Sequence, residues 1–300
     1  MVRLREDVLS NEQKPSEIWC IGEALWDSTP AGLFLGGAPL NVAMHLRQLD
    51  VPVSLVSAVG DDRLGYELRR RLNAAGVNLS LLGVNARLET GFVVAELEEN
   101  GNATYTIFED VAWDHLPIVP MPTPPSPVAM VYSSLVMRTS HGLSRLSSWL
   151  QSAPEAIRIF DINLRAPHYS DSIIQAQMRQ AHWIKANYEE ACVMTGVFDL
   201  SPKALAVKLQ SYCHAAVVIL TCDADGAGVL IESQWYWQPS PQTTVVDTIG
   251  AGDAFLAAFV ANALVAKRDI HSSLASAVNR ASQVVEHHGA VPNLSHLFAE

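Results

Sequence analysis

From residue 128 onward, short apolar runs alternate with amphipathic stretches, and this alternation limits the fold more than any other feature of the chain. Residues 128–132, 157–162, 183–186 and 216–221 are apolar runs of strand length. Residues 143–151, 173–181, 189–194 and 202–212 read as helices, the last with Pro202 at its start. Strands that take turns with helices pair in parallel, because each helix carries the chain back across the sheet. Such a sheet is covered by helices on both faces. The 300 residues, 49% hydrophobic and 17% charged, suffice for one large α/β domain and exclude a disordered chain.

The first half opens in the same way. Residues 18–21 and 53–59 read as strands. A helix follows Pro39, with Val42, Leu46 and Leu49 on one face, and residues 64–75 form a second helix closed by Gly76. Residues 90–108 depart from the alternation. Runs 92–97 and 104–108 are β-rich and flank Asn100-Gly101, a strong hairpin signal. The proline-dense stretch 117–127 makes a stiff connector back to the core. Residues 229–231 and 235–238 read as a strand pair, and 254–264 and 274–287 as helices. The expected organisation is an N-terminal extension over 1–17 and one domain over 18–300. A small β layer would arise from segments near 28–35 and 87–112.

Lys plus Arg number 20 and Asp plus Glu 31, a net charge of −11. A protein that grips nucleic acid needs a basic face, so that role is excluded. A small phosphorylated ligand is not, because backbone amides hold phosphate. Cys20, Cys192, Cys213 and Cys222 lack metal-site spacing and read as buried thiols of a reducing, cytoplasmic compartment. Residues 1–14 are charged and carry no apolar core of a signal peptide. No apolar run reaches the ~18 residues of a membrane span, so no membrane role is expected.

The sharpest segment for chemistry is Asp247-Thr248-Ile249-Gly250-Ala251-Gly252-Asp253, where the strand-like Val245-Val246 enters a small-residue turn that opens an apolar helix. Gly250 and Gly252 let backbone approach a ligand closely. The first amides of the helix lack intrahelical partners and sit at its positive end, which makes an anion site. Asp253 is out of place there unless it has a task. Taking the proton of a hydroxyl that attacks a phosphate is one; a first-turn residue favoured by the helix dipole is the other reading. A dinucleotide fingerprint fits poorly, since Phe255 follows and too little chain remains. The second segment, Gly36-Gly37-Ala38-Pro39-Leu40-Asn41, suits a hydroxylated ligand laid on exposed backbone, and equally an ordinary turn with Asn41 as a local cap.

Together these segments resemble the two signatures of the ribokinase, or PfkB-type, carbohydrate kinases: G-G-x-x-x-N-x-A at 36–43 and D-T-x-G-A-G-D at 247–253. The likeness extends from residue 18 to 292. It includes Gly22-Glu23-Ala24-Leu25-Trp26-Asp27, Asp161-Ile162-Asn163-Leu164-Arg165 and Lys185-Ala186-Asn187-Tyr188-Glu189-Glu190, and within the family it is most like fructokinases. The resemblance implies a ribokinase-like three-layer α/β/α domain with a mostly parallel sheet and a small β lid. It implies an ATP-dependent sugar kinase, with ribose, a keto-deoxy sugar acid or a nucleoside as other acceptors, or a catalytically weak sugar-binding homologue.

By the same resemblance Asp253 is the base, and Gly250, Ala251 and Gly252 with it line the hole for the transferring phosphoryl group. Asp27, Gly36, Gly37, Asn41 and Arg165 meet the sugar, although a surface salt bridge is the plain alternative for Arg165. Asn187 and Glu190 position ATP and Mg²⁺, Glu190 through water; without the motif Glu190 reads as an exposed helix carboxylate. Thr221 and Gly226 match the nucleotide side, where Asp223 replaces a usual glycine and puts a carboxylate near polyphosphate. Asp247, with backbone near Ile249, Val284, His287 and Gly289, marks a site for a monovalent cation such as K⁺. Mg²⁺ would supply the positive charge at the anion site, with no lysine or arginine required. A homodimer through the lid is the expected assembly.

Overall fold

A computed structural model describes residues 17–97, 103–120 and 124–294. Residues 1–16 of the N-terminal extension, the Asn100-Gly101 turn and Pro122 lie outside the described residues. In chain order the first half comprises β1 (Ile18–Ile21), β2 (Leu25–Thr29), β3 (Gly32–Gly36), α1 (Ala38–Gln48), β4 (Val53–Gly60), α2 (Arg63–Ala74), β5 (Leu82–Asn85), β6 (Gly91–Leu97) and β7 (Ala103–Ile107). Next come β8 (Ala129–Ser133), α3 (Ser140–Ser152), β9 (Ile157–Asp161), α4 (Asp171–Gln180), β10 (Trp183–Asn187), α5 (Tyr188–Thr195) and α6 (Pro202–Gln210). The chain continues through β11 (Val217–Thr221), β12 (Gly226–Ile231), β13 (Gln234–Pro239), α7 (Ala251–Val260) and α8 (Ile270–Val284).

Nine strands form one sheet in the order β13-β12-β11-β10-β9-β8-β1-β4-β5. Every pairing from β5 to β11 is parallel, and β12 and β13 close one edge as antiparallel strands. Alternate side chains of β1 show why the sheet is covered twice. Ile18 and Cys20 join one core with Leu46 of α1, Leu68 of α2, Phe259 of α7 and Leu274 of α8. Trp19 and Ile21 join the opposite core with Trp149 of α3, Met178 of α4 and Leu205 of α6. Period-two strands send successive residues to opposite faces, so a continuous apolar run needs a helical layer on each side. The three-layer α/β/α arrangement follows. All four cysteines are buried free thiols.

The other four strands form a separate sheet in the order β3-β2-β6-β7. It corresponds to the expected β layer, with its first half beginning earlier, at Leu25, and its second half confined to Gly91–Leu97 and Ala103–Ile107. One expected strand is absent. Val245 and Val246 are exposed and in no strand, because the amides of Val246 and Asp247 donate to Val285 O at the end of α8. The helix expected over 254–264 starts earlier, at Ala251, and ends in a π turn over Ala261–Val265. Among the described residues no helix is long and apolar enough to cross a membrane.

Candidate active site

The site lies beyond the carboxyl ends of the central parallel strands, where such sheets leave a crevice. β1 ends at Ile21, and the chain crosses into the small sheet through Glu23 to Asp27 on β2. Gly36 stands beside Asp27 because no side chain fits there: a Cβ on Gly36 would lie 2.0 Å from Asp27 Oδ2. Burial lifts the Asp27 carboxyl to about 6; Arg165 opposes that shift, while Glu23 and Asp247 add to it. Gly37, at φ 102°, turns the chain into α1. The first amide of that helix, at Ala38, donates to Glu23 Oε1 at 3.1 Å, and Ser133 Oγ donates to the same carboxylate. Glu23 is 1% exposed. One turn on, Asn41 Nδ2 donates to Asp253 Oδ2 at 2.8 Å, while Asn41 Oδ1 is buried with no protein donor.

Asp253 sits in the first turn of α7, capped by Gly250 at φ 80°. A Cβ on Gly250 would meet Ala290 Cα at 2.5 Å, so both backbone angle and space demand glycine. The Ala251 amide donates to Thr248 O, and no side chain caps the helix. The amides of Gly252 and Asp253 therefore keep the free, positive character of a helix start. Burial raises the Asp253 carboxyl to about 7; Asp161 raises it further, whereas Lys185, Asn41 and Arg165 pull it down. A carboxylate poised near neutrality and held by an amide donor is suited to take a hydroxyl proton.

Lys185 and Asp161 are central to the site and were not singled out as site residues in the sequence. They are register partners on β10 and β9, and Lys185 Nζ donates to both Asp161 oxygens at 3.0 and 2.8 Å. A Cβ on Gly252 would approach Lys185 Nζ to 3.0 Å, so the ammonium lies directly at the start of α7. The sequence reading required no lysine or arginine at this helix start, and the fold nevertheless places one there. Burial works against the Lys185 charge, but Asp161, Glu190 and Asp253 outweigh it and raise its pKa. Only the register of two neighbouring parallel strands brings these opposite charges together.

Asn187 and Glu190 form a capping box on α5. Asn187 Oδ1 accepts from the Glu190 amide at 2.8 Å, and Glu190 Oε2 accepts from the Asn187 amide at 2.9 Å. Glu190 Oε1 accepts from the Leu164 amide at 3.0 Å, which ties the loop carrying Arg165 to the same helix. The exposed-carboxylate reading of Glu190 is corrected, since the residue is 7% exposed. The N-x-x-E spacing is thus a physical cap, an N-cap acceptor with its N3 carboxylate reaching back. Arg165 itself is exposed, and its charge acts on Asp27, Glu190 and Asp253.

Thr221, Gly226 and Gly252 line one cleft of about 90 Å³, so the expected nucleotide side adjoins the start of α7. Asp223 lines it too and adopts φ 45°, a left-handed angle that explains a preference for glycine there. Asp247 clips two loops together: Oδ1 accepts from Ile249 N at 2.9 Å and Oδ2 from Gly289 N at 3.0 Å. Val284, His287 and Gly289 adjoin it through the end of α8. Among the described residues no cluster of His, Cys, Asp and Glu has metal-binding geometry.

The Klebsiella pneumoniae fructokinase is 27% identical over 261 residues, covering 82% of this chain and 83% of that protein. The aminoimidazole riboside kinase of Salmonella typhimurium is 24% identical, covering 89% and 87%. Among solved structures, a double mutant of Vibrio cholerae fructokinase with fructose, ADP and potassium superposes with a TM-score of 0.83. It shares 23% identity over 96% of this chain and 99% of that one, a likeness that shows the ribokinase-like fold. The model of the pfkB family carbohydrate kinases matches residues 30–297, so this chain belongs to that family and is a sugar kinase.

Proposed function

We propose that the protein transfers the γ-phosphoryl group of ATP to a hydroxyl of fructose. The observation that carries this is the Asn41–Asp253 pair at the uncapped start of α7, with Lys185 beside it. The acceptor sugar rests between Asp27, the Gly36-Gly37 backbone and Asn41, whose buried Oδ1 is a vacant acceptor for a sugar hydroxyl. Asn41 Nδ2 holds Asp253 so that its free oxygen faces the attacking hydroxyl. Asp253 takes the proton as the oxygen attacks. The amides of Gly252 and Asp253, with Lys185, hold the charge on the transferring group.

The residues fit a nucleotide triphosphate with its cation. The helix-start amides and the glycines leave room for phosphate oxygens, and Thr221 and Gly226 line the adjoining cleft. Bound Mg²⁺ would neutralise phosphate charge. Glu190, with both oxygens on backbone amides, would reach the ion through water. Asp247 and the carbonyls around it would hold K⁺. The small sheet acts as a lid that excludes water from the transfer. Exposed Leu33 on that sheet, and Phe108 just past it, support a homodimer joined through the lid. The cytoplasm, where ATP is made and used, is the proposed location.

The test is ADP release with Mg·ATP over a panel of fructose, other ketohexoses, ribose, a keto-deoxy sugar acid and a ribosyl nucleoside. Fructose is expected to give the highest kcat/KM. A nucleoside or ribose ahead of every ketohexose would overturn the choice of acceptor.

A further inference from the structure

A cavity of about 570 Å³ lies outside the catalytic set, between the segment that leaves the lid and the loops after β8 and β9. Its volume is in the range of small-molecule sites. One wall is rigidly built. Arg138, its side chain 3% exposed, donates to both Asp114 oxygens at 2.6 and 2.7 Å and to Phe108 O at 2.8 Å, and it stacks on Trp113 at 4.1 Å. Its Nη1 is buried with no protein acceptor, a donor the protein leaves unused.

The lining selects against a charged ligand. Glu109 and Asp110, 73% and 82% exposed, stand at the mouth and repel an anion. Arg138 is neutralised by Asp114, and the positive starts of α3 and α4, marked by Thr139 and Ser170, disfavour a cation. What remains suits a neutral polyhydroxyl. Carboxylates and imidazoles accept from hydroxyls, Met137 and Ile173 offer apolar floor, and the paired rings of His115 and His141, 4.8 Å apart, make a platform for the C–H face of a sugar ring.

The cavity wall is tied to the loop that carries Arg165. His168 N donates to Arg165 O at 2.7 Å, so one turn carries both Arg165, whose charge acts on Asp27 and Asp253, and His168, which lines the cavity. We infer that this cavity is a second subsite for a neutral sugar unit, lying outboard of the phosphorylated one. The inference rests on the acceptor site proposed above. The sugar unit comes from one of two sources, the far residue of a longer acceptor or a separate free sugar.

The experiment is titration of the full chain with fructose and with sucrose, followed by calorimetry and by amide shifts of residues 139–142 and 168–173. Ser170→Trp fills the cavity at an exposed position whose side chain caps nothing, and His141→Ala removes half the platform. Wild type is expected to bind two fructose molecules per chain, one lost in Ser170→Trp and the other in Asp27→Asn. Sucrose binding as a single molecule, weakened about tenfold or more by either variant, identifies a longer acceptor. Two independent fructose sites identify a separate free sugar. One fructose per chain, no shifts at 139–142 and 168–173 in wild type, and unchanged sucrose binding in both cavity variants would overturn the subsite. Loss of the Asp27→Asn effect alone would instead overturn the acceptor reading.

Discussion

The starts of α1 and α7 are built alike and used differently. Each is preceded by a glycine at positive φ, Gly37 at 102° and Gly250 at 80°, and each glycine is crowded by backbone 2.5 Å from where a Cβ would lie. At α1 the chain supplies its own anion, for the Ala38 amide donates to the buried Glu23 carboxylate. At α7 no carboxylate caps the helix, and the Lys185 ammonium lies beside its first turn instead. The same local geometry becomes a closed structural joint in one place and an uncapped, open helix start in the other. What differs is the charge that the neighbouring strand delivers.

Breaking the open site has the largest expected effect. Asp253→Asn should lower kcat about 10²–10⁴-fold while fructose affinity, measured by titration, is largely kept. A kcat within about tenfold of wild type would make Asp253 a dipole-favoured helix residue and no base. Lys185→Met should cost about 3–5 kcal/mol in urea unfolding, because Asp161 is left buried and unpaired. Adding Asp161→Asn should restore most of that stability and still leave ATP affinity low, which separates support of the fold from support of the phosphates.

The closed site should respond in stability. Glu23→Ala strands the Ala38 amide and is expected to cost about 1–3 kcal/mol, with ATP affinity unchanged. Equal loss of ATP affinity in this variant would end the distinction between the two helix starts.

Titration sharpens the same contrast. The Asp253 carboxyl lies at about 7 in the fold against an ordinary 3.8, so kcat/KM should rise with pH through about 7 and level above it. The folded chain binds this proton more tightly than the unfolded one. Stability of the ligand-free protein should therefore fall as pH rises from 3.8 to about 7, and Asp253→Asn should flatten that slope. The smallest effect belongs to Asp223→Gly. Removing a carboxylate from the nucleotide cleft and a left-handed strain should tighten ATP by about 0.5–1 kcal/mol, read as a lower KM.

The sheet was legible because its strands are apolar on both faces, a pattern that needs no partner to be recognised. Val245-Val246 misled for the same reason. Two β-branched residues look like a strand in isolation, yet the backbone there bonds to the end of α8 instead of a strand. The glycines were readable because a positive φ and close backbone packing restrict residue type, and Asp253 and Asn41 because a polar side chain stands out in small or apolar surroundings. Lys185 and Asp161 were not, since only strand register brings them together across 24 residues of chain. Glu190 was named for a metal role, and its capping-box bonds, which the N-x-x-E spacing itself encodes, were overlooked.

By itself the sequence determined the alternating α/β architecture and the two glycine-led helix starts, because periodicity and positive φ are local properties. Tertiary structure decided which of those starts holds a carboxylate of the chain and which is left uncapped. It also placed Asn41 on Asp253 across 212 residues and opened the cavity lined by Arg138 and His168. Charges act through space, and only folding sets the distances between them.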